Sequence, residues 1–416
     1  MRAAALTKAI LLSAILAPGL ALATNGYFSH GFGVKSQGMA GAGIALPQDG
    51  FAAAINPAGT VFVGNRVDLG IVLVRPQRSA EISGNLAGMN GDYAGNDTRN
   101  FLVPEIGYVE QLSPRLAAGV AVYGNGGLNT DYGNNPFRSL GATGAAGVNL
   151  EQLFISPSLA WKLADEHAVG LALNIAYQRF EVEGIAPFAA ASSSPGNFSN
   201  RGVDSALGWG IRLGYTGKLS DELTLGLTWA SKTRSGELDK YKGLFAEHGG
   251  FDIPANYGLG LSWAATPALT LVADVKRIEY GDVKALANPI GNLFAGHAFG
   301  SANGPGMGWR DITAVKLGIQ YLLAEWTLRA GYSHASQPVP SDQTLLNILT
   351  PSVVKDHVSV GATWQSSRSG ELSLAYTYAL KNTVHGRNSI PGAFGGGEAD
   401  VTLKGDIIGI AYGWKF

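Results

Sequence analysis

Cysteine is absent from this 416-residue chain. That excludes a disulfide framework and every thiolate-based metal or redox site. Charge is scarce as well. Only 15% of the residues are Asp, Glu, Lys or Arg, against roughly 25% in an ordinary soluble domain. The 30 basic and 31 acidic side chains leave a net charge of -1, so no basic field points to a nucleic-acid partner. After Leu22 no stretch supplies the roughly 20 consecutive apolar residues of a spanning helix. Neither G-x-S-x-G nor H-E-x-x-H occurs. The histidines (His30, His167, His248, His297, His334, His357 and His385) are scattered along the chain. Gly38–Gly43 reads GMAGAG, but no helical pattern follows it, so it is not a phosphate loop. Nothing here implies an enzyme, a metal or a cofactor.

What is abundant is apolar residues, at 46%, and glycine, at 58 positions. Arg2 and Lys8 precede an apolar run from Ala9 to Leu22, and Ala21-Leu22-Ala23 fits a small-x-small cleavage site. Residues 1–23 therefore read as a secretory signal peptide, with the mature chain expected to start at Thr24. At the other end, Ile408, Ile410, Tyr412, Trp414 and Phe416 alternate with Gly409, Ala411, Gly413 and Lys415. Alternation of this kind marks a strand with one bulky face and one small face. A soluble sandwich would turn the bulky face inward, and a membrane barrel would turn it outward to lipid.

Connection lengths separate the two. Alternating segments recur from about residue 65 to the end, as in Leu223–Trp229, Tyr257–Trp263, Trp326–Tyr332 and Leu372–Tyr378. Tight polar turns fall at Ser113-Pro114, Ala164–His167, Ser220-Asp221, Thr266-Pro267, Leu323–Glu325 and Ser366–Gly370. Long connections fall between them, at about Ser83–Arg99, Gly126–Gly147, Ile185–Arg201, Glu237–Phe251, Asp282–Gly308, Ser341–Ser352 and Gly386–Glu398. Short turns on one side and long loops on the other are the arrangement of an outer-membrane barrel. The fold class is thus all-β, a transmembrane antiparallel β-barrel of about fourteen strands over residues 65–416. Trp161, Trp209, Trp229, Trp263, Trp364 and Trp414 lie near strand ends, where interfacial girdles form. The C-terminal strand is expected to pair with the first strand and close the barrel.

Between the signal and the first strand, residues 24–64 are rich in Gly and Ala but carry Phe28, Phe32, Ile44, Leu46, Phe51 and Ile55. A solvated tail has no need of those apolar groups. A barrel of this size has a lumen too wide for its own side chains to fill. The segment is expected to fill it as an N-terminal hatch, or plug.

At this point the chain resembles a known family, the FadL-type (OmpP1/FadL/TodX) outer-membrane transporters of hydrophobic compounds. These include long-chain fatty-acid and toluene/xylene channels. Asn56-Pro57-Ala58, within DGFAAAINPAG, resembles the family's hatch motif. RLAAGVAVYGNGGL, FISPSLAWKL, DIPANYGLGLSW, GWRDITAVKLGIQY and WTLRAGYSHASQPVP support the match over essentially the whole mature chain. The opening TNGYFSHGFGVKSQGMAGAG departs from the fatty-acid members and leaves the cargo open between fatty acid and aromatic hydrocarbon.

The resemblance implies capture between extracellular loops, passage above the hatch and lateral exit at a kinked third strand. Gly124, Gly126 and Gly127 are the candidate kink, since strand glycines permit bulges. Phe188, Phe198, Leu244, Phe245 and Phe251 are expected as an exposed capture patch. Tyr412, Trp414 and Phe416 resemble the C-terminal signal read by the barrel-assembly machinery. Outer-membrane lipid and lipopolysaccharide are the expected surroundings, and the family suggests a monomer. Arg212, Lys218, Asp274, Lys276, Lys316 and Arg329, expected to face inward, also suit a general aqueous porin. A surface receptor or adhesin is a further reading open at this level.

Overall fold

The computed structural model describes residues 25–416, so the expected signal peptide and Thr24 lie outside it. Fourteen long strands dominate: β1 (Arg66–Ser83), β2 (Phe101–Ser113), β3 (Leu116–Tyr132), β4 (Ala146–Ala164), β5 (His167–Glu183), β6 (Asp204–Lys218) and β7 (Leu223–Ala230). They continue as β8 (Asn256–Ala264), β9 (Leu269–Ile278), β10 (Ile312–Leu323), β11 (Trp326–Ala335), β12 (Asp356–Gln365), β13 (Gly370–Val384) and β14 (Glu398–Lys415). Each pairs antiparallel with the next, and β14 pairs with β1 from Arg66↔Lys415 to Ser83↔Glu398. The sheet is a closed barrel with the expected strand number. Short strands Gly91–Ala94 and Arg234–Ser235 attach to β1 and β6.

The alternation sorts side chains as the terminal strand suggested. Ile408, Ile410, Tyr412 and Trp414 point outward and are 43–54% exposed, while Gly409 and Gly413 face in. The same outward rows recur on β5 (Leu171, Leu173), β8 (Leu259, Leu261), β10 (Leu317, Ile319) and β12 (Val358, Val360). An apolar belt of that extent has no counterpart on a monomer in water and needs a hydrocarbon solvent. Among the described residues no helix is long and apolar enough to cross a membrane.

All six tight turns fall where expected. One long connection does not. Gly126–Gly147 was expected to be loop, but β3 continues to Tyr132 and β4 begins at Ala146. Leu128, Thr130 and Tyr132 keep the period of two and bury their side chains, so pairing carries through the glycines.

Residues 25–64 lie within the barrel. Helix α1 (Val34–Gln37) packs on β12, β13 and β14, whereas α2 (Ala52–Ile55) and the 3-10 turn Pro57–Phe62 pack on β3 to β6. Inward glycines make room for it. A Cβ at Gly331 would lie 2.2 Å from the Met39 carbonyl carbon, and one at Gly226 would lie 2.4 Å from the Ile44 carbonyl oxygen.

The long connections pack on one another over one end of the barrel. Phe137 meets Phe188 at 5.2 Å, Phe188 meets Phe394 at 5.1 Å, and Phe198 meets Phe299 at 5.3 Å. They form a hydrophobic cap.

Candidate functional site

The wall has one break in its pairing that matters. β1 and β2 pair up to Val74↔Phe101, but β2 and β3 pair only from Ser113↔Leu116 to Ile106↔Val122. Phe101–Glu105 therefore has a partner in β1 and none in β3. On its other side β3 stays paired to β4 throughout, with a register shift between Gly124 and Gly126. The unpaired bulge residue is Asn125, and β3 bends away from β2 there.

The N-terminal segment occupies this opening. Phe28 forms an antiparallel bridge with Gly126. The Ser29 amide donates to the Asn125 carbonyl at 2.8 Å, and the Gly127 amide donates to the Tyr27 carbonyl at 3.0 Å. Tyr27–Ser29 thus supplies backbone partners on the stretch of β3 that β2 has left. Gly126 permits the approach, because a Cβ there would stand 1.9 Å from the Tyr27 carbonyl oxygen. Higher up, Arg78 of β1 reaches across and donates to the Asn129 carbonyl of β3 at 3.0 Å.

Five further attachments hold the segment. Lys35 pairs with Glu371, which also pairs with Arg66, while Arg66 meets Asp68 at 2.6 Å. Asp68 in turn accepts from the Gly50 amide at 2.8 Å. Asp274 accepts from the amides of Gly43 and Ile44 at 2.8 and 3.1 Å, and Lys316 donates to the His30 carbonyl. The Asn56 side chain donates to the carbonyls of Ile44 and Tyr215, both at 2.9 Å, and its own oxygen accepts from the Ala58 amide at 3.2 Å. Burial depresses the Lys35 ammonium from its usual range, and it holds the His30 imidazole well below its own, with His357 and Lys316 adding to the effect.

Under the N-terminal residues lies a small cavity of about 30 Å³, lined by Ser29, His30, Phe32, Arg212, Asp274, Lys276 and Lys316 among others. Three cationic side chains there face one carboxylate. The Lys276 ammonium lies 5.6 Å from the Phe28 ring centre and 5.8 Å from that of Phe32. Aromatic rings link this place to the cap: Tyr27–Phe251 at 6.3 Å, Phe251–Phe245 at 4.9 Å and Phe245–Phe180 at 4.7 Å.

The family model described as outer membrane protein transport protein (OMPP1/FadL/TodX) matches residues 19–416. The chain belongs to this family. The long-chain fatty acid transport protein of Escherichia coli (strain K12) is 23% identical over 442 residues, covering 92% of this chain and 93% of that protein. The toluene transporter TodX of Pseudomonas putida has the same fold, with a TM-score of 0.69 at 21% identity over 93% of this chain and 99% of its own. A FadL homologue of Pseudomonas aeruginosa gives a TM-score of 0.71 at 19% identity, over 94% of this chain and 100% of its own. This member of the OMPP1/FadL/TodX family is an outer-membrane barrel and a transport protein, not an enzyme.

Within that barrel the residues singled out from sequence separate into groups. Asn56, Pro57 and Ala58 sit together against β6, where a Cβ at Gly214 would lie 2.0 Å from the Asn56 side-chain oxygen. Gly124, Gly126 and Gly127 flank the bulge at the break. Tyr412, Trp414 and Phe416 lie on the outer surface. Phe188, Phe198, Phe245 and Phe251 correct an expectation: they are buried inside the cap, at most 4% exposed, and Leu244 is partly buried. Long loops that fold against each other bury the rings a single loop would have left in water. The outer aromatic face is Phe294, 54% exposed, beside Phe394 at 6.2 Å. Lys218 is a second correction, since it is exposed at the tight-turn end and pairs with Glu166 at 2.9 Å. Arg212, Asp274, Lys316 and Arg329 do face the lumen and are buried. Sequence reasoning missed Arg78, Glu105, whose carboxylate accepts from the Gly33 amide at 3.4 Å, and Tyr280, whose hydroxyl accepts from the Tyr27 and Phe28 amides; none of them stands in a motif.

Asn56→Ala is expected to loosen the segment by about 1–3 kcal/mol, the cost of stranding buried hydrogen-bonding groups. Trypsin should then cut after Lys35 at least tenfold faster in the assembled barrel. An unchanged cutting rate would remove Asn56 as an anchor.

Proposed function

We propose that this chain carries a hydrophobic molecule with a carboxylate head, of the long-chain fatty-acid kind, from the cell surface into the outer leaflet through the break between β2 and β3. The observation that carries this reading is the seating of Tyr27–Ser29 on β3 where β2 departs. Residues 24–64 act as a hatch, and Gly124, Gly126 and Gly127 form the kink that leaves the wall open behind it. Cargo lands on exposed Phe294, beside the partly buried Phe394. It then follows the ring series Phe180, Phe245 and Phe251 toward the hatch.

Lateral exit makes physical sense. Each Å² of apolar surface kept out of water is worth about 25 cal/mol, so a long alkyl chain gains nothing from the aqueous periplasm. The cation excess of Arg212, Lys276 and Lys316 over Asp274 supports a carboxylate over a neutral hydrocarbon. It is also why an aqueous porin is the weaker reading, since the same charges lie under a seated segment.

The test compares palmitate, hexadecanol and toluene as cargo for the purified barrel in vesicles. Palmitate is expected to bind at least tenfold tighter than hexadecanol, and Lys276→Met should erase that difference while leaving hexadecanol unaffected. Equal binding of acid and alcohol with strong toluene uptake would assign the site to aromatic hydrocarbons. Swelling of the vesicles in sugars would assign it to a porin.

A further inference from the structure

We propose that Tyr280 is the positioning residue that couples the extracellular cap to the wall opening, so that displacing its connection releases the N-terminal residues from β3. The proposal rests on the hatch reading above and adds a trigger to it.

Tyr280 follows the end of β9 and opens the connection 279–311, yet its side chain is fully buried against the segment. Its hydroxyl donates to the Asn25 carbonyl oxygen and accepts from the Tyr27 amide at 3.2 Å and the Phe28 amide at 3.4 Å. A phenolic hydroxyl has one proton and two lone pairs, so these three partners use its whole capacity. The turn between them is shaped around it. Gly26 has φ +70°, and a Cβ there would lie 2.4 Å from the same hydroxyl. The Tyr280 ring also stands edge-on to Tyr27 at 5.5 Å and to Trp309 at 5.1 Å. One side chain thus places the residues that close the break.

The connection that carries Tyr280 is tied to the rest of the cap. Trp309, near its far end, donates its indole N–H to Asn347 at 2.6 Å. Lys284 pairs with Glu247 at 3.0 Å, and the amides of Glu247 and His248 donate to the carbonyls of Ser301 and Gly300, both at 3.1 Å. Glu247 and His248 both take left-handed backbone, at φ 58° and 60°, a conformation that non-glycine residues hold only under constraint. A hydrophobic molecule that wedges into the cap between these connections has to shift 279–311, and Tyr280 moves with it.

The native absence of cysteine allows a clean probe. Ser29→Cys is placed in the full-length barrel in vesicles, and its reaction with a membrane-permeant maleimide is timed with and without palmitate. In the otherwise native chain palmitate should accelerate labelling. Adding Tyr280→Phe removes only the hydroxyl with its three bonds to the segment, and labelling without palmitate should rise at least tenfold. Palmitate should then accelerate it no further. Gly26→Ala strains the same contact from the segment side and should have the same effect, with heat-shifted gel mobility verifying assembly. Native labelling rates and a retained palmitate response in both variants would overturn the role of Tyr280. Fast labelling in Tyr280→Phe combined with normal palmitate uptake through a barrel carrying Gly126→Trp would instead leave Tyr280 in place and sink the lateral route.

Discussion

Removing Thr24–Gly59 is expected to turn the barrel into an open pore. Fourteen strands enclose more space than their inward side chains fill, and here the inner wall is lowered further by glycine. Gly170, Gly226 and Gly331 lie so close to the segment backbone that a Cβ at any of them would fall within 2.4 Å of a backbone atom. With the segment gone, those positions leave hollows, and Asp274 and Lys316 lose their partners in it to water. Arg66, Asp68 and Glu371 lie on the wall itself, so Arg66 keeps both carboxylates as partners when Lys35 leaves with the segment. Single-channel conductance in planar bilayers is expected to rise at least tenfold, with loss of discrimination between small solutes. Conductance equal to that of the full chain would mean that the segment does not obstruct the lumen.

Gly126→Trp is expected to cut uptake of a labelled long-chain fatty acid at least tenfold while assembly stays normal. Two effects follow, and the second one blocks the exit. Any Cβ at this position collides with the Tyr27 carbonyl oxygen at 1.9 Å, so the segment cannot seat on β3. The indole then fills the space between β3 and Phe101–Glu105 through which cargo would leave. Gly126→Ala separates these effects, because it unseats the segment without filling the break. It should raise labelling of a Ser29→Cys probe while uptake is maintained. Normal uptake by Gly126→Trp, measured in vesicles with the barrel correctly assembled by gel mobility, would place the exit elsewhere.

How much of this was legible beforehand differs by element. The barrel was legible because its signal is repeated. Rows such as Leu223, Leu225, Leu227 and Trp229 alternate with small partners, and turn lengths alternate along the chain. Membership of the family was legible from Asn56-Pro57-Ala58 followed by that ladder, and the family model agrees over residues 19–416. The capture surface was not legible. Phe188, Phe245 and Phe251 looked like free loop aromatics, and only the packing of several connections together buries them and leaves Phe294 outermost. The extent of β3 was misjudged because Gly126 and Gly127 read as the start of a loop, whereas β4 holds them in register to Tyr132.

By itself, then, the sequence determined the solvent on each side of every strand. A period of two is local, and transfer of bulky side chains to hydrocarbon depends only on which face each residue takes. Tertiary structure alone decided where the wall is broken and what closes it. The bonds from Tyr280 to residues 25–28 join parts of the chain more than 250 positions apart. Such contacts arise from barrel closure and from backbone groups that neighbouring strands leave unpaired, and neither leaves a periodic trace along the chain.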